Sequence, residues 1–340
     1  TVNNSNGTCT ANITNNLSNR NLVINGNMVC SQRASSFASI TDAYCLDRYK
    51  FRNNNGVTGT FTVSQSTETP DEFGNSLKVA VGTQDTALAA GESFHISTRL
   101  EGQNLQSLAK GTSSAKKSVL SFYVKTNKNG TYAVMLYDND NNRQFTATYT
   151  VSNANWNRYT IDVPADTTGA FGNDNSDSLH IYWYLGAGAN FTGGSLASSW
   201  QTYAAASEAV GQVNFAESNS NEFYITGIQY EVNESGVATD FEHPRSFGDE
   251  LARCQRYYFK ETASNNTYMF GYGNTPQSYG IAQLSQPTSF RATPTITITG
   301  SANASSVGSD ALSPYYSIAY CNTSNASAPR LTGYEMSAEL

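Results

Sequence analysis

Apolar and polar residues alternate with the period of a β-strand through most of this chain. The runs Thr58 to Gln65, Ser76 to Val81, Ser93 to Leu100, Ser118 to Lys125, Gly130 to Tyr137, Phe145 to Val151, Trp156 to Val163 and Ser178 to Leu185 are separated by turns rich in Asn, Asp, Ser and Gly, which is the spacing of antiparallel hairpins. Leu22 to Val29 and Arg48 to Phe51 read as further strands, and Leu100 to Ala109 as a short helix or turn. Glu222 to Val232 alternates again, with Gly227 placed where a strand tolerates a bend or bulge. The period then changes. Ser246, followed three residues later by Asp249, is an N-terminal capping pattern, and Leu251, Cys254 and Tyr258 share one face, so a helix is predicted from about Phe247 to Arg256. Strands return at Arg256 to Glu261, Thr267 to Tyr272, Tyr279 to Gln286, Pro294 to Thr299, Tyr315 to Tyr320 and Gly333 to Glu339.

This pattern predicts an all-β protein of two packed units joined by a short helix. Residues 1–20 are dominated by Asn, Ser and Thr, have no apolar period and cannot bury enough surface to fix themselves, so they read as an arm or linker. Residues 21–245 hold enough strands for an antiparallel β-sandwich, and residues 246–340 for a smaller β-sandwich at the tip. The second unit is thin for a free-standing sandwich. Its tyrosines, including Tyr257, Tyr258, Tyr268, Tyr272, Tyr279, Tyr315, Tyr316 and Tyr334, suit interfaces and binding surfaces alike.

Composition narrows the function. Charged residues make up 14% of the chain, against about 25% in an average soluble domain. Such a surface works by many weak hydrogen bonds and ring contacts. The net charge of −7 argues against nucleic acid, whose phosphates need clustered Lys and Arg. No apolar run is long enough to span a membrane. No signal-peptide pattern precedes the first strand, and a chain beginning at Thr1 reads as a fragment or processed product. The five cysteines have irregular gaps and no C-x-x-C, indicating neither a disulfide framework nor a zinc site. Cys30 and Cys45 would bridge only if neighbouring strands carry them, and Cys254 reads as a small buried hydrophobe.

Four stretches carry a resemblance. GIQYEVNESGVATDFEHPRSFGDELARCQRYYF, from Gly227 to Phe259, resembles the hinge of bacteriophage tail-fibre and receptor-binding proteins, where a G-x-Q-x-E strand leads through A-T-x-F-E to a helix ending in C-Q-R-Y-Y. NLVINGNMVCSQ at Asn21 to Gln32 with Asp47-Arg48-Tyr49, FRATPTITITG at Phe290 to Gly300, and the closing SAEL at Ser337 to Leu340 resemble other parts of that family. Within residues 21–245 the order of features also resembles the jelly-roll carbohydrate-binding modules: Asn25-Gly26 first, a central SFYVK strand, a W-x-x-Y-T strand, and G-x-Q-x-E last. In those modules the strand after the tryptophan packs inward, which implies a core position for Trp156, with a ligand platform as the alternative.

The resemblance implies a virion tail fibre that assembles as a homotrimer in the host cytoplasm, where thiols stay reduced. It attaches to other tail proteins through its N-terminal arm and adsorbs to host cell-surface glycan, three weak sites acting by avidity. Two alternatives stand beside this: a purely structural fibre or head-decoration protein, and the carbohydrate-binding module of a secreted glycan-degrading enzyme. Jelly-roll sugar-binding modules often hold a structural calcium, and the corresponding positions here include Asn27, Asp47 and Glu231. Asp138, Asp140, Asp174 and Asp177 offer further hard oxygen ligands in turns, where a solvated role is the alternative.

Candidate ligand contacts come from the one long loop. Gly186 to Phe215 mixes Gly, Ser and Ala with Phe191, Trp200 and Tyr203, and loops of that length are functional or mobile. Rings stack on the apolar faces of sugars while neighbouring amides and carboxylates bind hydroxyls. The alternative is that these rings plug one end of the sandwich or a subunit interface. Tyr272 and Tyr315 are the corresponding candidates in the tip. Catalysis has little to draw on: His95, His180 and His243 sit in no G-x-S-x-G, H-E-x-x-H or P-loop setting, so the chain reads as a binding protein and not an enzyme.

Overall fold

The alternating runs pair into two antiparallel sheets. A computed structural model describes residues 19–54, 56–261, 267–268, 270–272, 279–323 and 329–340; the arm expected at residues 1–20 lies almost wholly outside them. The first unit contains β1 (Ser36–Phe37), β2 (Asp42–Tyr44), β3 (Lys50–Asn54), β4 (Thr60–Ser66), β5 (Ser76–Thr83), β6 (Ser93–Glu101), β7 (Ser118–Thr126), β8 (Gly130–Asp138), β9 (Arg143–Val151), β10 (Asn157–Val163), β11 (Asp177–Ala187), β12 (Gln201–Thr202) and β13 (Glu222–Val232). One sheet runs β1-β4-β5-β13-β7-β10 and the other β12-β9-β8-β11-β6-β3-β2. The chain crosses between sheets at β1–β2, β3–β4, β5–β6, β6–β7, β7–β8, β9–β10, β10–β11 and β12–β13. That is the wind of a jelly-roll sandwich.

Inward-facing residues of both sheets make one core. Phe61, Val63, Val79, Phe122, Phe223 and Ile225 meet Phe51, Phe94, Ile96, Leu136, Ile181 and Trp183, all essentially inaccessible to solvent. Each core position is followed by an outward one, because side chains alternate across a strand. Gly227 forms the expected bulge: its φ is +61°, and a Cβ there would sit 2.7 Å from Tyr123 and 2.8 Å from Phe73.

Two expectations need correction. Leu22 to Val29 is not a strand; Asn25 and Met28 both take φ of 59°, which ends any extended run. The Asn25 side chain holds the segment instead, donating to the carbonyls of Cys30 (2.9 Å) and Asp47 (2.8 Å). Trp156 lies outside the core, on the outer side of the six-stranded sheet, its ring 6.2 Å from Tyr224 and its Nε1 donating to Glu68 at 3.3 Å.

The long segment after β11 folds back over the seven-stranded sheet through a one-turn helix, α1 (Ala189–Thr192), β12 and two 3-10 turns. Beyond β13, the helix α2 (Phe247–Gln255) starts where expected, with Ser246 Oγ accepting from the Asp249 amide at 3.1 Å. The tip contains β14 (Tyr258–Glu261), β15 (Thr267–Tyr268), β16 (Phe270–Tyr272), β17 (Tyr279–Gln283), β18 (Thr295–Ala302), β19 (Ala304–Ser313), β20 (Tyr316–Thr323) and β21 (Arg330–Ser337). β21 pairs with β14, β15 and β18, and the other sheet runs β16-β17-β20-β19. β19 was not legible in the sequence. ASSVGSDALS has few large apolar residues, and its ladder with β20 makes it a strand.

Buried ion pairs join the tip to the sandwich. Arg48 pairs with Glu339, donates to the Arg99 carbonyl at 2.7 Å and lies 3.5 Å from the Tyr257 ring centroid. Glu101 accepts from Arg256 at 2.9 Å and from the Tyr257 hydroxyl at 2.5 Å. Cys30, Cys45, Cys254 and Cys321 are free thiols, all buried. Among the described residues no helix is long and apolar enough to cross a membrane.

Candidate functional site

The outward positions of the seven-stranded sheet form the floor of a cleft. Arg52 on β3, His95 on β6 and Tyr184 on β11 stand in one cross-strand row, and Tyr182 on β11 and Met135 on β8 in the next. Tyr137 faces His180 in a third row. The folded-back segment supplies the far wall with Phe191, Tyr203 and Glu208, enclosing a cavity of about 400 Å³. That volume lies within the ~300–1,000 Å³ of small-molecule sites.

Internal hydrogen bonds fix what the cleft offers. The Tyr184 and Tyr203 hydroxyls donate to the two carboxylate oxygens of Glu208. The Tyr137 hydroxyl donates to Asn142 Oδ1 at 3.0 Å. His180 Nε2 lies 2.7 Å from Asp177 Oδ2 and Nδ1 lies 2.5 Å from the Tyr182 hydroxyl. A carboxylate only accepts, so in the neutral ring the proton sits on Nε2 and Tyr182 donates to Nδ1. Four phenols thus spend their protons on the protein and turn only lone pairs toward a ligand.

Two titratable groups are perturbed. Glu208 makes no ion pair among the described residues, and burial raises its pKa despite the two phenol bonds. His95 is held neutral, its pKa lowered to about 3 by burial and by Arg52. Neither of its ring nitrogens has a hydrogen-bond partner; it packs edge-on against Tyr182 at 4.8 Å and against Tyr184 at 5.2 Å. Arg52 stands at the rim, 3.9 Å from Asp42.

The structure brings Phe191 and Tyr203 together in this cleft. Trp200 is elsewhere: its Nε1 donates to the Pro164 carbonyl at 2.9 Å and its ring packs against the core near Phe145. Tyr315 is exposed at the β19–β20 turn in the tip, and the side chain of Tyr272 lies outside the described residues. The proposed calcium ligands have separate partners. Asp47 accepts from Gln32 Nε2 at 2.8 Å, and Glu231 accepts from the Thr239 amide at 2.9 Å and from its hydroxyl, while Asn27 Oδ1 is buried without a partner. Asp138 holds Lys110, and Asp177 holds Arg99 and His180. The residues missed by sequence reasoning, His95, Tyr137, Tyr184 and Glu208, carried one visible signal: His180, Tyr182 and Tyr184 alternate on β11 and so share a face. That face is the outer one.

A second hollow of about 280 Å³ lies between residues 19–26, 241–245 and α2. Its wall is spent on the chain itself, since Glu242 accepts from the amides of Asn19 and Asn21.

No protein-family model matches the chain, and no curated protein matches it either. Among solved structures it is similar to the enzymatically active domain of tailspike protein 4 of bacteriophage CBA120, at 13% identity over 63% of this chain with a TM-score of 0.33. The match spans only 22% of that tailspike chain. It is similar also to a family 11 carbohydrate-binding module from Clostridium thermocellum in complex with a β-1,3-1,4-mixed-linked tetrasaccharide, at 15% identity over 61% of this chain and 98% of that one, with a TM-score of 0.29. A C-terminal family 22 carbohydrate-binding module from the same organism matches at 13% identity over 59% of this chain and 96% of that one, with a TM-score of 0.32.

Proposed function

We propose that this protein is a glycan-binding part of a phage tail fibre, and that the cleft on the seven-stranded sheet holds the sugar. The observation that carries the binding role is the cleft itself: Tyr137, Tyr182, Tyr184, Tyr203 and Phe191 around about 400 Å³, with phenol oxygens oriented in advance by internal hydrogen bonds. Rings supply apolar contact to sugar faces, and pre-oriented acceptors reduce the ordering cost of binding. Glu208 is the one carboxylate that lines the cleft among the described residues, whereas most glycosidases need two carboxyl groups flanking the bond. That favours a binding role over hydrolysis. The tail-fibre assignment rests on the hinge sequence from Gly227 to Phe259, and so do the homotrimer, attachment through the N-terminal arm and residence in the virion.

The test is a glycan array followed by calorimetric titration of the full chain. Binding that is lost in Tyr203→Ala and Tyr137→Ala and kept in Tyr315→Ala supports the cleft. Soluble protein that competes with phage for adsorption to host cells supports the receptor role. Binding mapped to the tip, or release of reducing sugar from a bound glycan, overturns the reading.

A further inference from the structure

The cleft is lopsided in its hydrogen bonding, and this sets the chemistry of its ligand. Tyr137, Tyr182, Tyr184 and Tyr203 donate inward to Asn142, His180 and Glu208, so each phenol has lone pairs left and no proton to offer. Glu208 adds a carboxylate bound by two neutral hydroxyls and by no cation among the described residues. His95 stays neutral and keeps an accepting nitrogen without a partner. Among the described residues the donors that remain are few, chiefly the Ser93 hydroxyl and one N–H of His95, while Arg52 stands at the rim beside Asp42. Neutral sugars carry hydroxyls that both donate and accept, and they bring no charge to a carboxylate that has two phenol bonds and feels Arg52 only at a distance beyond an ion pair. A buried charge without a partner is costly, and a ligand that brings the opposite charge recovers that cost. Aromatic rings around a cation attract it further through their negative faces.

We propose that the cleft selects glycans bearing a free amino group, seating the sugar ammonium against Glu208 within the ring of Tyr137, Tyr182, Tyr184 and Tyr203. An ammonium is a pure donor with three N–H groups and a positive charge, which is the complement of what these residues present. The inference rests on the glycan-binding reading of this cleft and adds the class of sugar.

The probes are oligosaccharides of one length and linkage: a deacetylated glucosamine oligomer at a pH where its amines are protonated, its N-acetylated counterpart, a neutral glucose oligomer, and a polyuronate oligomer. Calorimetric titration of the full chain is expected to show the deacetylated oligomer bound at least tenfold more tightly than the acetylated or neutral ones, with the uronate weakest. Glu208→Gln is expected to bring the ratio of deacetylated to acetylated affinity close to one, and Glu222→Gln on the opposite sheet to leave it unchanged. Circular dichroism and melting of each variant establish that it is folded. Equal or tighter binding of the acetylated oligomer, preference for the uronate through Arg52, or a ratio that survives Glu208→Gln overturns the proposal. Neutral oligomers bound without ammonium preference sink it while leaving the glycan reading intact; a folded protein that binds none of the four sinks both.

Discussion

The two sheets of the sandwich share one core but differ in what surrounds the carboxylate beside their outer rings. On the six-stranded sheet the Tyr224 ring is covered by charge. Tyr224 lies under Lys78 (5.3 Å) and Lys125 (6.0 Å) and donates to Glu222 at 2.6 Å. Lys78 pairs with Glu222 at 2.6 Å and Lys125 with Glu68 at 2.8 Å. On the seven-stranded sheet the rings are as dense, yet among the described residues Glu208 takes its hydrogen bonds from phenols, with Arg52 acting on it only from beyond ion-pair distance. Pairing each carboxylate with a lysine makes a finished surface. A carboxylate left with neutral donors, under a roof of folded-back chain, makes one that a ligand completes.

The largest expected difference between the faces is in acid. His95 has a folded-state pKa of about 3 against 6.5 for the free side chain. The unfolded chain therefore takes up the proton first, and stability is lost as pH falls from about 6.5 toward 3, at up to about 1.4 kcal/mol per pH unit. The carboxylate of Glu222 has its pKa lowered, chiefly by its hydrogen bond from Lys78; its contribution is present above about 4.5 and is lost only below it. Urea unfolding between pH 6.5 and 4.5 thus reads His95 without the contribution of Glu222. His95→Gln should flatten the slope in that window, and an unchanged slope would show that the buried imidazole is not its source.

Next in size is the effect of ring removal on binding. Tyr137→Ala and Tyr203→Ala should each weaken glycan affinity about tenfold or more, roughly 1.4 kcal/mol or above, while Tyr224→Ala on the opposite face should leave it within twofold. Equal losses on the two faces would erase the distinction drawn between them.

How much of this contrast was legible beforehand depends on how local its causes are. The strands of the sandwich were readable because alternation is a property of neighbouring residues, and Ser246 with Asp249 marked α2 for the same reason. Phe191 and Tyr203 were found because an overlong loop with rings is visible in one dimension. Glu208 was not, since its meaning comes from Tyr184, placed 24 residues away in sequence and brought to it by the fold. His95 and Arg52 share a row only through the β3–β6 register. Trp156 left the core it was assigned to, and Trp200 took the alternative of plugging the sandwich, anchored by a Pro164 carbonyl of which its small flanking residues gave no hint. Leu22 to Val29 alternates like a strand and is not one: it bonds to β13 only through Leu22 and Gly26, and Asn25 turns the chain between them through its bonds with Cys30 and Asp47.

Glu208→Gln sharpens the comparison further, because its effects on stability and on binding should differ in sign. Burial raises the carboxyl's pKa in the fold, so the native state holds that proton more tightly than the unfolded chain does. Its contribution falls as pH rises through about 4.5 and beyond, opposite in direction to that of His95. At pH 7 the amide removes a buried charge and keeps an acceptor, so the variant should melt slightly above the parent while losing affinity for an ammonium ligand. A drop in melting temperature would mean that the phenol bonds outweigh the burial cost and that the site is structural.

The smallest effect belongs to the finished face. Lys125→Gln breaks the pair with Glu68, but both side chains are well exposed to water, and exposed pairs contribute roughly 0–1 kcal/mol. Burial opposes the carboxylate of Glu68 only weakly; the hydrogen bonds from Lys125 and then Trp156 lower its pKa, so removing the lysine should raise it. Urea unfolding at pH 7 should differ from the parent by less than about 1 kcal/mol, and the difference should shrink in high salt as the Debye length falls to about 3 Å at 1 M. A larger, salt-resistant loss would place a desolvated interaction on this sheet, and the division of labour between a sealed face and a receptive one would have to be redrawn.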